Sequence, residues 1–229
     1  MSDREPAPWS RAALTSASRR LLSRGSRLKP AVWRVETEAG PVALLDCAGL
    51  PAPGRALARW LLRRERRALE RLAGLPEFPQ VLAVPDRDAV VLSWLDGRPL
   101  DRETFAADPH DLAGQLRRLV DQMHAHRVFH LDLRQRRNLL VDGAGRLRCL
   151  DFGASWAPGP IGAALFGPIL RRVDRSAVRK YLARYAPEEL SEEEARAVLR
   201  GLVWRRLWIF SPYRERGEGE GARRRLGRG

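Results

Sequence analysis

Residues 129–141 read "FHLDLRQRRNLLV", and residues 151–153 read "DFG". Asp132 and Asn138 flank one polar loop. Downstream, "NLLV", a turn at "DGAG" and "LRCL" (147–150) predict a β-hairpin. Asp151 follows that hairpin directly. The chain therefore sets a carboxylate and a carboxamide on one loop and a second carboxylate just beyond a hairpin. Ahead of the loop, Asp108 and Pro109 open a helix as cap and first residue. Leu112, Leu116, Leu119, Val120 and Met123 form its buried stripe.

Further upstream the pattern changes to strands. "AVWRVETEAGPVALLDC" (31–47) predicts two strands joined at Ala39-Gly40-Pro41, and "VLAV" and "AVVLSW" predict two more, split at Pro85–Asp88. Between the pairs, "GRALARWLLRRERRALERLAG" (54–74) predicts a long helix. "LDGRPL" (95–100) breaks the pattern as a connector. Ser10 and Gly25 bound an expected amphipathic helix over 10–25. Beyond the DFG, Ser191 and Glu194 form a capping box for a helix running to about Trp208. The tail, 213–229, is polar, glycine-rich and charged, and is expected to be disordered. The order implies an α+β protein of two lobes rather than a doubly wound sheet.

The 229 residues carry a net charge of +14, and all but two of the 42 cationic side chains are arginine, the exceptions being Lys29 and Lys180. Such a surplus attracts polyanions: nucleic acid, anionic lipid headgroups or phosphorylated glycolipid. Cys47 and Cys149 lie far apart, match no metal-ligand spacing, and read as buried thiols. His124 and His126 lack the partners a metal site needs. The longest apolar stretch, 156–170, is too short and too broken by Pro and Gly to span a bilayer, and the N-terminus has no apolar signal region.

Phosphoryl transfer asks for a group that positions the acceptor hydroxyl and takes its proton, and for oxygen ligands to a cation on the phosphates. His130, Asp132, Asn138 and Asp151-Phe152-Gly153, in this order and separated by a hairpin, resemble the protein-kinase-like superfamily. The form "HLDLRQRRNLLVD" is similar to bacterial small kinases related to the RIO and lipopolysaccharide-core (Kdo/heptose) kinase group. The spacing from Asp132 to Asn138 is one residue longer than in H-R-D-L-x-x-x-N, as in loops of that group. The resemblance implies ATP and Mg²⁺, with Asp132 as catalytic base and His130 and Arg134 as catalytic residues with it. It implies Asn138 and Asp151 as metal ligands, and Arg134 in the place of a phosphate-contacting lysine. It divides the chain into a basic N-terminal segment (1–28), a β-rich N-lobe (29–94), a reduced helical C-lobe (95–212) and the tail (213–229). "SWLDGRPL" resembles the hinge, with backbone groups of about Ser93 to Leu95 facing adenine, and Ala43 fits the small residue against the adenine.

The first half departs from the pattern. Leu45 stands where the strand lysine of V-A-x-K belongs, and no glycine-rich loop precedes it. Glu65 falls in line with Leu57, Leu61, Leu69 and Leu72 and so points inward, where an unpaired carboxylate is costly. Three readings stay open. Arg34 pairs with Glu65, or Lys29 reaches in from before the first strand, or the site binds nucleotide poorly and the chain is a pseudokinase scaffold.

No A-P-E segment follows the DFG, which leaves a protein, sugar or glycolipid hydroxyl as acceptor. "PIGAALFGPILRRV" and Trp204, Trp208 and Phe210 among Arg205, Arg206 and Arg214 would suit an anionic membrane surface, with RNA the weaker alternative. The resulting expectation is a cytoplasmic enzyme, or one peripheral on the inner membrane.

Overall fold

The computed structural model describes residues 9–206 and 217–227. The fold is α+β, with a five-stranded antiparallel sheet, a three-stranded sheet and seven α-helices among the described residues. The chain divides into two compact units. One is Met1–Asp96 with Asp151–Ala157; the other is Gly97–Leu150 with Pro158–Gly229. The expected boundary at 94/95 is two residues early, and the DFG segment belongs to the first unit.

In the first unit the sheet order is β1-β2-β3-β5-β4, with β1 Arg19–Ser23, β2 Ala31–Thr37, β3 Gly40–Asp46, β4 Val81–Asp86 and β5 Ala89–Ser93. The β2–β3 turn falls two residues early, and Gly40 sits at φ 105°, a conformation that favours glycine. The core packs Leu14, Val35, Val42, Leu44, Ala89 and Val91 against Trp9 and Trp33. The helix expected over 10–25 stops early. Ser10 caps α1 (Arg11–Ser16), and Ala17 is already extended. Arg19–Ser23 instead pairs with β2, and the Arg19 guanidinium lies over the Trp33 ring. Backbone pairing along a sheet edge outweighs a weak helical pattern. Arg11 fixes α1 to the sheet by bridging Asp46 and Asp86.

Helix α2, Ala52–Arg71, buries Ala58, Leu62, Glu65, Ala68 and Leu69. Glu65 does point inward as expected, but the stripe is rotated by one residue and Leu57 is 41% exposed. Arg59 holds Asp88 in the β4–β5 turn.

In the second unit β6 (Arg98–Pro99) joins β7 (Leu139–Val141) and β8 (Leu147–Cys149), the expected hairpin. Helix α3, Arg102–Ala107, was not legible from the apolar pattern; Asp101 and Thr104 close it with a reciprocal capping box. Asp108 caps α4, Pro109–Ala125, by accepting from the Asp111 N–H. The expected stripe on α4 is buried throughout. Helix α5, Pro160–Tyr185, covers a region to which the sequence assigns no element, and it runs through Pro168. Its C-terminal half is buried, whereas Ile161, Leu165 and Ile169 in its first half are exposed. Ser191 and Glu194 form the expected capping box at the start of α6, Glu192–Arg206.

Residues 218–225 correct the expectation of a disordered tail: Glu218–Arg225 is helix α7. Gly221 explains it, because a Cβ there would lie 1.7 Å from the Ala183 carbonyl oxygen. A glycine-rich segment here is a close-packing surface, and Arg225 Nε ties it to the Leu190 carbonyl at 2.6 Å. Both cysteines are buried. No helix among the described residues is long and apolar enough to cross a membrane.

Asp142 organises the hairpin turn. Its Oδ1 accepts from the Ala144 and Arg146 N–H groups, both at 2.9 Å, and its Oδ2 from Arg146 Nε at 3.0 Å and Arg148 Nη2 at 2.8 Å. Burial pushes its carboxyl upward, but these donors outweigh burial and hold it at about 2. A depressed folded value stabilises the fold above the ordinary carboxylate range and is lost as pH falls from about 4 toward 2. Asp142→Ala is expected to lower unfolding stability by about 2 kcal/mol at neutral pH, with the deficit shrinking below pH 4. Urea denaturation at pH 7 and pH 3 checks this; an equal deficit at both would assign the loss to packing.

Candidate functional site

The loop of residues 129–138 lies in the second unit and is hung from one buried carboxylate. Asp174, on α5 and 1% exposed, accepts from the His130 N–H at 3.0 Å, the Leu131 N–H at 2.8 Å and His124 Nε2 at 3.1 Å. Leu131 sits at φ 65°, a strained conformation for a branched residue that these bonds maintain. Sequence reading missed Asp174. The signal was present: a lone acid among arginines, with Ala177, Val178 and Tyr181 at helical spacing on its own buried face.

His130 is fully buried. Its Nε2 faces the Leu150 carbonyl at 2.9 Å, and its Nδ1 lies 3.3 Å from the Asp132 N–H. Those partners require a neutral ring with the proton on Nε2. In this arrangement His130 holds the loop to the strand end preceding Asp151.

Asp132 is half-buried, and Gln135 Nε2 donates to its Oδ2 at 2.5 Å. Its own carbonyl accepts from Asn138 Nδ2 at 3.0 Å and from the Gln135 N–H at 3.3 Å. The extra loop residue is absorbed in a 3₁₀ turn over Arg136–Asn138. Asn138 thus spends its amide nitrogen on the loop. Arg134 Nη1 reaches the Ser176 carbonyl and hydroxyl at 3.4 Å, and Lys180 Nζ donates to the Arg134 carbonyl at 2.5 Å.

In the first unit the DFG turn packs on α2. Asp151 is exposed in a left-handed conformation at φ 59°, and its side chain accepts from the Gly153 N–H. Phe152 is fully buried, edge-on to Phe78 at 5.9 Å. Arg64 Nη2 donates to the Gly153 carbonyl at 2.9 Å. Glu65 accepts from the Phe152 N–H, and a Cβ on Gly153 would lie 3.7 Å from its Oε2. Burial first, and then the Asp151 carboxylate, push the Glu65 carboxyl up to about 8 against the pull of the Phe152 N–H, Lys29 and Arg64.

The three readings for Glu65 narrow. Arg34 pairs with Glu36 at 2.8 Å, and its guanidinium lies over the Trp94 ring, so it is not the partner. Lys29 exerts a favourable field on Glu65 from before β2. Leu45 is buried in the sheet opposite Val32 and Val90. Ala43 lies in β3 between Arg34 and Leu92. The Ser93 N–H is bonded to the Gln80 carbonyl at 2.9 Å, so this group does not face a base; Leu95 is half-buried. The side chains of Trp204, Arg205 and Arg206, and residues Trp208, Phe210 and Arg214 altogether, lie outside the described part of the structure.

Asn138 and Asp151 supply hard oxygen donors of the kind Mg²⁺ takes when phosphates and water complete its shell. Among the described residues no group of three or more His, Cys, Asp or Glu converges.

No protein-family profile matches the chain. A Streptomyces coelicolor protein described as a probable SapB synthase is 36% identical over 131 residues, an alignment covering 47% of this chain and 14% of that protein. The chain thus matches a small part of a much longer relative.

Because Glu65 holds its proton in the folded state to about pH 8 and loses it near 4.5 when unfolded, the fold should lose stability as pH rises from about 4.5 to 8. Glu65→Gln removes this penalty. Its melting temperature should match the natural chain's at pH 4.5 and exceed it at pH 8. A gap independent of pH would mean that Glu65 is ionised in the fold.

Proposed function

We propose that the chain is an Mg-ATP-dependent phosphotransferase with a kinase-like two-lobed fold, acting on a hydroxyl acceptor. The observation that carries the reading is the Asp132 loop. A buried carboxylate, a neutral histidine, a glutamine and an asparagine are all committed to holding one half-buried aspartate in a single orientation. Rigid support of that kind belongs to a reacting group rather than to an ordinary turn.

In the reaction the acceptor hydroxyl oxygen forms a bond to the γ-phosphorus while the bond to the bridging oxygen breaks and ADP leaves. Asp132 takes the hydroxyl proton; Gln135 occupies its Oδ2, which leaves Oδ1 for that proton. Asn138 and Asp151 would hold Mg²⁺, which supplies neutralisation of charge on the phosphates. Arg134 is the candidate cation for the transferred group. Lys29, with its favourable field on Glu65, is the candidate replacement for the lysine that Leu45 displaces.

The alternative, a scaffold that has given up catalysis, is favoured by two observations: Leu45 is buried as a sheet residue, and Glu65 is held protonated. The acceptor class, a cytoplasmic setting and contact with anionic membrane or RNA belong to the proposal.

Asp132→Asn separates the readings. The enzyme reading expects unchanged ATP affinity and a fall in phosphate transfer of about 10²-fold or more, measured as ADP release and label transfer to a hydroxyl acceptor. Undiminished transfer in this variant would remove Asp132 from the reaction.

A further inference from the structure

Beside the Asp132 loop the second unit forms an open cavity of about 410 Å³ lined by Arg134, Arg136, Arg137, Lys180 and Arg184 over Tyr181 and Gln135. Among the described residues that line it, five are cations and none is an acid. Elsewhere on this chain arginines meet carboxylates: Arg11 with Asp46 and Asp86, Arg59 with Asp88, Arg117 with Glu194, Arg148 with Asp142. Among the described residues no carboxylate is in ion-pair contact with Arg136, Arg137 or Arg184. The like charges of Arg136, Arg137 and Arg184 around one concavity repel one another, and an anion in it would relieve that repulsion.

The cavity is rigid. Tyr181 is buried and donates its hydroxyl proton to the Leu133 carbonyl at 3.0 Å. Lys180 and Arg134 are joined through the Arg134 carbonyl, and Arg134 reaches Ser176. Arg184 lies over the Tyr185 ring. The loop and the C-terminal half of α5 thus fix the wall, while exposed Arg136 and Arg137 bring guanidinium forks whose geometry matches phosphate oxygens.

Position gives the cavity its meaning. Gln135 lines it and also donates to Asp132 Oδ2 at 2.5 Å, so one side chain joins the cavity to the proposed base. Arg136 and Arg137 belong to the loop that is one residue longer than the common motif. Its volume suits a compact anion.

We infer that the cavity formed by the loop cations Arg134, Arg136 and Arg137 with Lys180 and Arg184 binds a phosphate monoester carried by the acceptor, so that the hydroxyl to be phosphorylated belongs to a molecule already bearing phosphate. The inference rests on the phosphotransferase reading for its purpose, but binding is measurable without it.

The test titrates the full chain, without nucleotide, with glucose 6-phosphate and with O-phosphoserine, each against its unphosphorylated counterpart, by calorimetry at two salt concentrations. Both monoesters should bind and neither counterpart should. A preference between the two esters tells a sugar source from a peptide source. Arg136→Ala and Arg184→Ala should each weaken binding about tenfold or more, while Asp151→Asn leaves it unchanged. Arg137→Ala, at an exposed position, is the second variant if Arg184→Ala fails to fold. Binding lost in Asp151→Asn but kept in the arginine variants would place the monoester at a nucleotide site and overturn the inference. So would equal binding of the unphosphorylated compounds, or displacement of both esters by a short single-stranded oligonucleotide at micromolar concentration. Monoester binding in a chain that fails to bind Mg-ATP would sink the phosphotransferase reading and leave the anion site standing.

Discussion

One buried carboxylate organises the polar loop. Asp174 sits on α5 more than forty positions after the loop it supports, and it accepts from two consecutive backbone N–H groups and from His124. A carboxylate so deeply buried is tolerable only with several donors satisfied, and those donors have no other acceptor nearby. The bargain is mutual. The left-handed Leu131 is held in place, Asp132 follows at a fixed angle, and His130 is left with the single tautomer that links the loop to Leu150. The cation cavity depends on the same helix, because Ser176, Lys180 and Tyr181 lie on α5 one and two turns beyond Asp174.

In the first unit the corresponding constraint is the burial of Glu65. Its carboxyl sits beneath the DFG turn, takes the Phe152 N–H, and is pushed toward the protonated form by burial and by Asp151. Lys29 and Arg64, rather than Arg34, are the basic residues whose fields reach this point.

Much of this was legible in the sequence, for physical reasons that can be named. Asp108-Pro109 and Ser191/Glu194 signal helix starts through local chemistry, and both operate as read. The hairpin between Asn138 and Asp151 follows from two short apolar runs around "DGAG". What failed was decided by distant contacts. Residues 19–23 became a strand because β2 offered an edge. The glycine-rich tail read as disorder, but Gly221 lets α7 close on Ala183. Residues 160–185 received no element from the sequence, although α5 runs through Pro168, and Asp174 on that helix was hidden as a result. The burial of His130 and the partners of its ring become visible only in the fold.

The most direct measurement is a calorimetric titration of the chain with ATP, with and without Mg²⁺, alongside Asp151→Asn. The account predicts binding that requires Mg²⁺ and is lost in the variant. Absence of binding up to millimolar ATP, or binding indifferent to both Mg²⁺ and Asp151, would contradict it and leave Leu45 as the mark of a scaffold without catalysis.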